Sequence, residues 1–248
     1  KNEIKVFFIL HGLFGRAKNW QSVTKELSLR LPYFFFTIDQ RNHGKNLPSY
    51  EISYELMVND IYKFFKFLNI NEVSLIGHSM GGKVSMVFAL KYPMITNNLI
   101  IVDIAPVRYF TQDEENIDHL LEIDITKIKT RLDADEQLSK KIKDKSLRLF
   151  LLQNLERAKQ GYRWSLNLNT IKNNIDKLRG FSNTEMNNFQ KKVLCIYGEK
   201  SNYLNSRNIM IFKTYFPFAE FSGIENAGHW LHADDPEKFI EEICKYLI

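Results

Sequence analysis

The sequence of 248 residues has only two cysteines and no apolar run long enough to cross a membrane. Cys195 lies inside an apolar run and Cys244 in the last helical segment, so no disulfide framework is expected. A reducing intracellular compartment, cytoplasmic or organellar, therefore fits best. A membrane helix needs about 20 consecutive apolar residues, so no integral membrane segment is expected. The sequence starts at Lys1 without a methionine, which is compatible with removal of a targeting segment, including one of mitochondrial type.

Three kinds of binding motif are also missing. No pair of histidines, cysteines or carboxylates has metal-ligand spacing on one element, and no glycine-rich dinucleotide fingerprint occurs, so neither a metal nor a cofactor is expected. The net charge is +5, but the excess comes from lysines scattered through predicted helices. Nucleic-acid binding normally requires a clustered basic surface, so a nucleic-acid partner is not expected.

What the sequence does contain is an alternation of short apolar runs and helical patterns. The runs predict strands buried on both faces of a parallel sheet; they cover residues 5–10, 34–39, 72–77, 98–103, 192–198 and Ala219–Ile224. The helical patterns between and after them cover residues 20–31, 54–68, 82–92, 206–216 and Pro236–Leu247. Such alternation predicts a doubly wound, mostly parallel α/β sheet.

Residues 107–188 interrupt this alternation of predicted strands and helices. They contain no convincing buried strand, are rich in lysine and are mostly of helical period. So long an interruption is not a loop. We predict a helical cap over the carboxyl edge of the sheet, where open α/β sheets bind ligands. Residues 1–106 and 189–248 then form the core of a single catalytic domain.

The strongest chemical signal is Gly77-His78-Ser79-Met80-Gly81, which stands directly after a predicted strand and directly before a helix. A serine on such a tight turn needs small neighbours, because a Cβ there would collide with the strand or the helix. The turn raises the hydroxyl out of the sheet at a helix N-terminus, which favours developing negative charge. The alternative to a catalytic role is a purely structural one, a glycine-rich turn in which the serine caps the helix. The strand–turn–helix context favours Ser79 as a nucleophile.

Acyl chemistry at such a serine needs two amide donors for the oxyanion. The residue after the nucleophile, Met80, supplies one of them. The loop His11-Gly12-Leu13-Phe14-Gly15 follows the first strand and supplies the other, from Leu13, with Phe14 as the alternative.

The base and the acid are sought in the order that this kind of site uses, serine, then acid, then histidine. His229 and His232 are the two candidates for the base. His229 is our choice, because it lies in a loop between the last strand and the final helix, at the same sheet edge as Ser79, whereas His232 is expected to pack or to cap a helix. For the acid, the strand that precedes the last one is followed by Glu199, and Ser201 occupies the expected aspartate position. The earlier strand ends at Asp103, 24 positions beyond the nucleophile. Asp103 is our first choice and Glu199 the second.

Six sequence blocks occur in order over nearly the whole chain: HGLFG, DQRNHG, GHSMGGK, VDIAPV, GYRW and AGHWLHADDPE. Together they resemble the small esterases of the α/β-hydrolase superfamily, of the bacterial YbfF type and of the type of abhydrolase domain-containing protein 11. The chain starts almost at the HG strand, so the leading strands of that fold are expected to be absent or trimmed.

The resemblance implies a serine hydrolase that cleaves carboxylic esters or thioesters of small to medium acyl groups, without a cofactor and beneath a helical cap. It also supports Asp103 as the acid. Phe14, His78, Trp164 and Trp230 are expected to contact the substrate. Transfer of the acyl group to another acceptor, or a binding role without catalysis, is the alternative.

Overall fold

The computed structural model describes residues 5–181 and 188–248. Residues 182–187, which belong to the predicted cap, lie outside the described residues. Each predicted strand and helix of the core is present, with ends at most two residues from the predicted ones. The doubly wound parallel α/β sheet is therefore confirmed.

The main sheet has six strands in the order β2-β1-β3-β4-β7-β8, and every neighbouring pair is parallel. The strands are β1 (Val6–Leu10), β2 (Phe34–Ile38), β3 (Val73–His78), β4 (Thr96–Val102), β7 (Val193–Gly198) and β8 (Ala219–Ile224). The order changes direction between β1 and β3. Such a switch point opens a crevice at the carboxyl ends of the two strands, which is where open α/β sheets place their ligands.

Helices cover both faces of the sheet. They are α1 (Gln21–Arg30), α2 (Tyr54–Phe67), α3 (Met80–Lys91), α9 (Ser206–Tyr215), α10 (Leu231–Asp234) and α11 (Pro236–Leu247), and a short 3-10 helix, Ala17–Trp20, precedes α1. Side chains alternate across a strand, so Phe7 packs with α1 and α11 while Phe8 packs with α2 and α3. Both faces are buried, and this is why the strands are apolar almost without interruption.

The predicted cap contains five helices within its described part: α4 (Asp113–Leu121), α5 (Arg131–Ser139), α6 (Lys145–Leu152), α7 (Leu168–Asn173) and α8 (Ile175–Arg179). It was expected to contain no convincing buried strand, and the two strands that it does contain are short and mostly only half-buried or exposed. An antiparallel pair, β5 (Leu155–Arg157) and β6 (Tyr162–Trp164), lies between α6 and α7. Strands of three residues are too short to show an alternating pattern, and Gly161, with φ of 68°, permits the turn between them.

The cap contacts the loops at the carboxyl end of the sheet. Asn154 Nδ2 donates to the carbonyl of Phe14 at 2.7 Å, and the hydroxyl of Tyr54 donates to the carbonyl of Leu178 at 2.5 Å. None of the helices within residues 5–181 and 188–248 is long and apolar enough to span a membrane.

Candidate active site

Ser79 occupies the turn between β3 and α3 with φ of 50° and ψ of −116°, a conformation that L residues rarely adopt. Its neighbours leave no room for side chains. A Cβ at Gly77 would lie 2.4 Å from the carbonyl oxygen of Gly81, and one at Gly81 would lie 2.3 Å from that of Leu10. The two glycines therefore allow helix α3 to begin against the sheet, and this close packing holds the serine in its strained geometry.

The loop after β1 lies directly against Ser79. A Cβ placed on Gly12 would be 3.2 Å from Ser79 Cβ. The next residue, Leu13, lines a small cavity of about 40 Å³ together with Ser79 and Met80. Met80 is the first residue of α3, so its amide has no acceptor within the helix. Leu13 and Met80, the predicted oxyanion donors, thus both lie beside Ser79.

Asp103 and His229 are joined by a short hydrogen bond. Asp103 follows β4 and is fully buried, and its Oδ2 accepts from His229 Nδ1 at 2.6 Å. The same oxygen accepts from the hydroxyl of Ser201 at 2.5 Å, while Oδ1 accepts from the amide of Gly198 at 3.3 Å. A carboxylate oxygen can only accept here, so Nδ1 carries the proton and Nε2 is free to take up another.

The alternative acid, Glu199, is exposed and points elsewhere. Its carboxyl oxygen lies near Gly223 on β8, where a Cβ would be 2.9 Å away. The residue at the expected aspartate position, Ser201, instead donates to the carboxylate of Asp103. The structure therefore brings Asp103, and not Glu199, to the imidazole.

The imidazole of His229 lies in the same cavity as Ser79, a cleft of about 250 Å³. Its ring stacks on that of Tyr203, with centroids 4.0 Å apart and planes 15° apart. Within the described residues, no hydrogen bond joins Ser79 Oγ to His229. Such bonds commonly tighten only when substrate is bound, so proton transfer requires the two atoms to approach.

His78 anchors the loop that carries His229. Its Nε2 donates to the carbonyl of His229 at 2.8 Å. Burial, and then the nearby imidazoles of His229 and His232, hold the pKa of His78 well below its usual value. His78 is therefore neutral, and it fixes the backbone of the histidine that would act as base.

Of the four residues predicted to contact the substrate, three line the cleft that contains Ser79 and one does not. Phe14, His78 and Trp230 line the cleft of about 250 Å³ with Ser79. Trp164 does not line either cavity that contains Ser79. It lies on β6 opposite Leu155 and packs against the large apolar cluster. The two cavities that contain Ser79 therefore give no support to the predicted contact of Trp164 with the substrate.

Several polar residues in these cavities were not identified from the sequence. They include Lys83, Asp113 and Tyr203, which can change their charge or donate through a phenol. The Nζ of Lys83 donates to the carbonyls of Arg179 and Gly180 at 2.8 and 2.6 Å, and burial lowers its pKa to about 7. Burial raises the pKa of Asp113. The signal for Lys83 was a lysine among the apolar residues of α3, but for Asp113 and Tyr203 the sequence offers none.

Comparison with known proteins gives a consistent assignment. Residues 5–236 match a family model described as the alpha/beta hydrolase fold. A Danio rerio protein named sn-1-specific diacylglycerol lipase ABHD11 is 36% identical, over 100% of this chain and 80% of its own length. A Saccharomyces cerevisiae protein named as an alcohol acetyltransferase is 32% identical, over 96% of this chain and 76% of its own. The solved structure of a marine microorganism esterase has a TM-score of 0.93 and 38% identity, over 98% and 95% of the two chains.

Proposed function

We propose a catalytic mechanism for this chain, which belongs to the α/β-hydrolase family and is an ester hydrolase. Ser79 is the nucleophile, His229 the general base and acid, and Asp103 the residue that orients the imidazole. The amides of Leu13 and Met80 are the oxyanion donors. These roles rest on the placement of the five residues around one crevice at the carboxyl edge of the sheet.

The first half of the reaction forms an acyl-enzyme. Ser79 Oγ attacks the carbonyl carbon of the ester while Nε2 of His229 takes the hydroxyl proton. Negative charge develops on the carbonyl oxygen, where two amides stabilise it better than they stabilise the neutral substrate. The imidazolium then gives its proton to the departing alcohol or thiol, and the carbon–oxygen or carbon–sulfur bond breaks.

Water completes the cycle. His229 takes a proton from a water molecule, whose oxygen attacks the acyl carbon, and then returns the proton to Ser79 Oγ as the acid leaves. Throughout, the carboxylate of Asp103 keeps the proton on Nδ1 and stabilises the imidazolium. The observation that carries the proposal is the 2.6 Å contact between Asp103 and His229 beside a strained serine.

The nucleophile is tested by Ser79→Ala. We expect this variant to lose turnover of p-nitrophenyl acetate and butyrate and to lose labelling by a fluorophosphonate probe. Ser206→Ala, at an exposed serine at the start of α9, is the matched control and should keep both. Full activity in Ser79→Ala would contradict the mechanism, and the absence of any turnover in the native protein would favour a binding role without catalysis.

Acyl transfer to an alcohol is the second candidate, because one relative is named as an alcohol acetyltransferase. The same acyl-enzyme would then react with an alcohol in place of water. Product analysis with added ethanol separates the two reactions. Our proposal predicts that the free acid predominates. We also propose esters or thioesters of small to medium acyl groups as substrates, and a reducing intracellular compartment, in keeping with two free cysteines.

A further inference from the structure

Two cavities of the protein meet at a pair of aromatic side chains. The inner cavity, of about 250 Å³, contains Ser79 and His229. The outer cavity, of about 650 Å³, extends between α1 and α11 and includes Ser22 and Ile240. Phe150 and Trp230 line both cavities, and no other described residue does so. Their ring centroids lie 5.2 Å apart.

The pair separates the cavities by side chains that come from two different parts of the fold. Phe150 lies on α6 of the cap, and Trp230 follows His229 directly in the loop before α10. Both are half-buried. Aromatic side chains exchange between staggered rotamers without a change of backbone. Rotation of one of these rings is therefore the movement that would join the two cavities.

The position of His229 decides which part of an ester uses this route. The imidazolium must protonate the departing alcohol, so the alcohol lies in the cavity that contains His229. That is the inner cavity, which leads to Trp230. A second, small cavity of about 40 Å³ also contains Ser79; it is lined by Met80 and lacks His229. It is left for the acyl group, which must then be short.

The lining of the outer cavity selects an uncharged occupant. Ala233, Pro236 and Ile240 contribute apolar surface, and no lysine or arginine is found among the described lining residues. The charged residues of the lining are the acids Glu26, Asp234 and Glu237. Arg30 pairs with Glu26 and Glu237 from outside the lining, so the described lining offers no free cation to bind an anionic group. An apolar chain would gain from burial against the aliphatic and aromatic side chains.

We propose that the substrate is an ester of a short acyl group with a long, uncharged, apolar alcohol, whose chain passes between Phe150 and Trp230 into the outer cavity. This proposal rests on the proposed function of Ser79 and His229. Cavity size supports it. Ligand sites usually measure roughly 300–1,000 Å³, so the inner cavity, at about 250 Å³, is small alone and reaches that range when joined to the outer one.

The kinetic test compares dodecyl acetate with ethyl acetate. In Ser22→Trp the new side chain occupies part of the outer cavity. We expect the ratio of kcat/KM for the long to the short ester to fall about tenfold, as when two methylene groups return to water. Ala233→Trp, on another part of the same wall, should do the same. Leu29→Trp is the control, because Leu29 is 72% exposed on the same helix α1 and lies outside the cavity.

A binding test separates this inference from the proposed function. In Ser79→Ala protein, calorimetry should show that dodecan-1-ol binds about tenfold more weakly when Ser22→Trp is added. If Ser22→Trp weakens the binding of dodecan-1-ol but the native protein has no esterase activity, the proposed function is contradicted while binding of the apolar chain in the outer cavity is supported. Ser79-dependent hydrolysis with an unchanged ratio in both tryptophan variants would overturn the inference. So would a preference of the native protein for ethyl dodecanoate that Ser22→Trp abolishes, because the acyl chain would then occupy the outer cavity.

Discussion

Replacement of Asp103 by asparagine should disable the enzyme without changing its shape. The amide of Gly198 donates to Oδ1 of Asp103, so an asparagine will keep its carbonyl oxygen on that side. Its NH2 group then takes the position of Oδ2, which now faces His229 Nδ1. An NH2 group donates, so it forces the imidazole proton onto Nε2. In that tautomer the histidine cannot accept the proton of Ser79.

The expected loss is large. In triads of this kind the wrong tautomer lowers kcat by about 10⁴, which corresponds to about 5.5 kcal/mol of transition-state stabilisation. Folding should change little, because the amide is as large as the carboxyl group and the hydroxyl of Ser201 can rotate to accept from it. The assay is the kcat for p-nitrophenyl acetate, together with thermal unfolding of both proteins.

Glu199→Gln is the control, since Glu199 is exposed and does not contact His229. It should keep the kcat of the native protein. A loss of less than tenfold in Asp103→Asn, measured on a folded protein, would refute the tautomer argument. A large loss in Glu199→Gln alone would assign the role of the acid to that residue.

Two further predictions concern the surroundings of the triad. In Gly12→Ala the new Cβ would lie 2.8 Å from His78 Nδ1, so the loop that carries Leu13 must move, and kcat should fall about 10²-fold, the cost of one oxyanion donor. The melting temperature reports whether the variant is still folded. An unchanged kcat would exclude Leu13 as a donor. Burial, and then the charge of His229, lowers the pKa of His232 from 6.5 to about 3. Between these two pH values the unfolded chain binds a proton that the folded protein excludes, so the folded state loses stability as the pH falls from 6.5 towards 3. His232→Phe should keep the ring stacking on Trp20 and move the acid-unfolding midpoint, followed by circular dichroism, to lower pH; an unchanged midpoint would contradict this.

The proximity of the proposed catalytic residues could be predicted from the sequence because a parallel sheet brings the carboxyl ends of its strands to one edge. Ser79 and Asp103 each follow a buried strand directly, so their convergence follows from the strand order alone. His229 lies in the loop after the last strand, separated from it by residues 225–228. The choice between Asp103 and Glu199 could not be made from the order of elements, because both residues lie at that edge. It depends on where each side chain points.

The cap could be recognised as an interruption, but its contacts could not be predicted. Trp164 was expected at the substrate, but it lies opposite Leu155 in the β5–β6 pair and lines neither cavity that contains Ser79. Lys83, Asp113 and Tyr203 reach the cavities through packing between the cap and the core. No periodic pattern encodes such packing, since it depends on the positions of two segments that are far apart in sequence.

Strain is concentrated around the crevice. Ser79, Asp103 and Phe14 all have positive φ, at 50°, 51° and 61°. Each such conformation costs on the order of 1–3 kcal/mol and persists only where the surroundings enforce it. Here the enforcing elements are β3, whose residues are all buried, and β4, which is hydrogen-bonded on both sides. The packing on both faces of the sheet therefore has a chemical consequence. It holds the serine, the acid and the loop of Leu13 in backbone conformations that these short segments would not keep on their own.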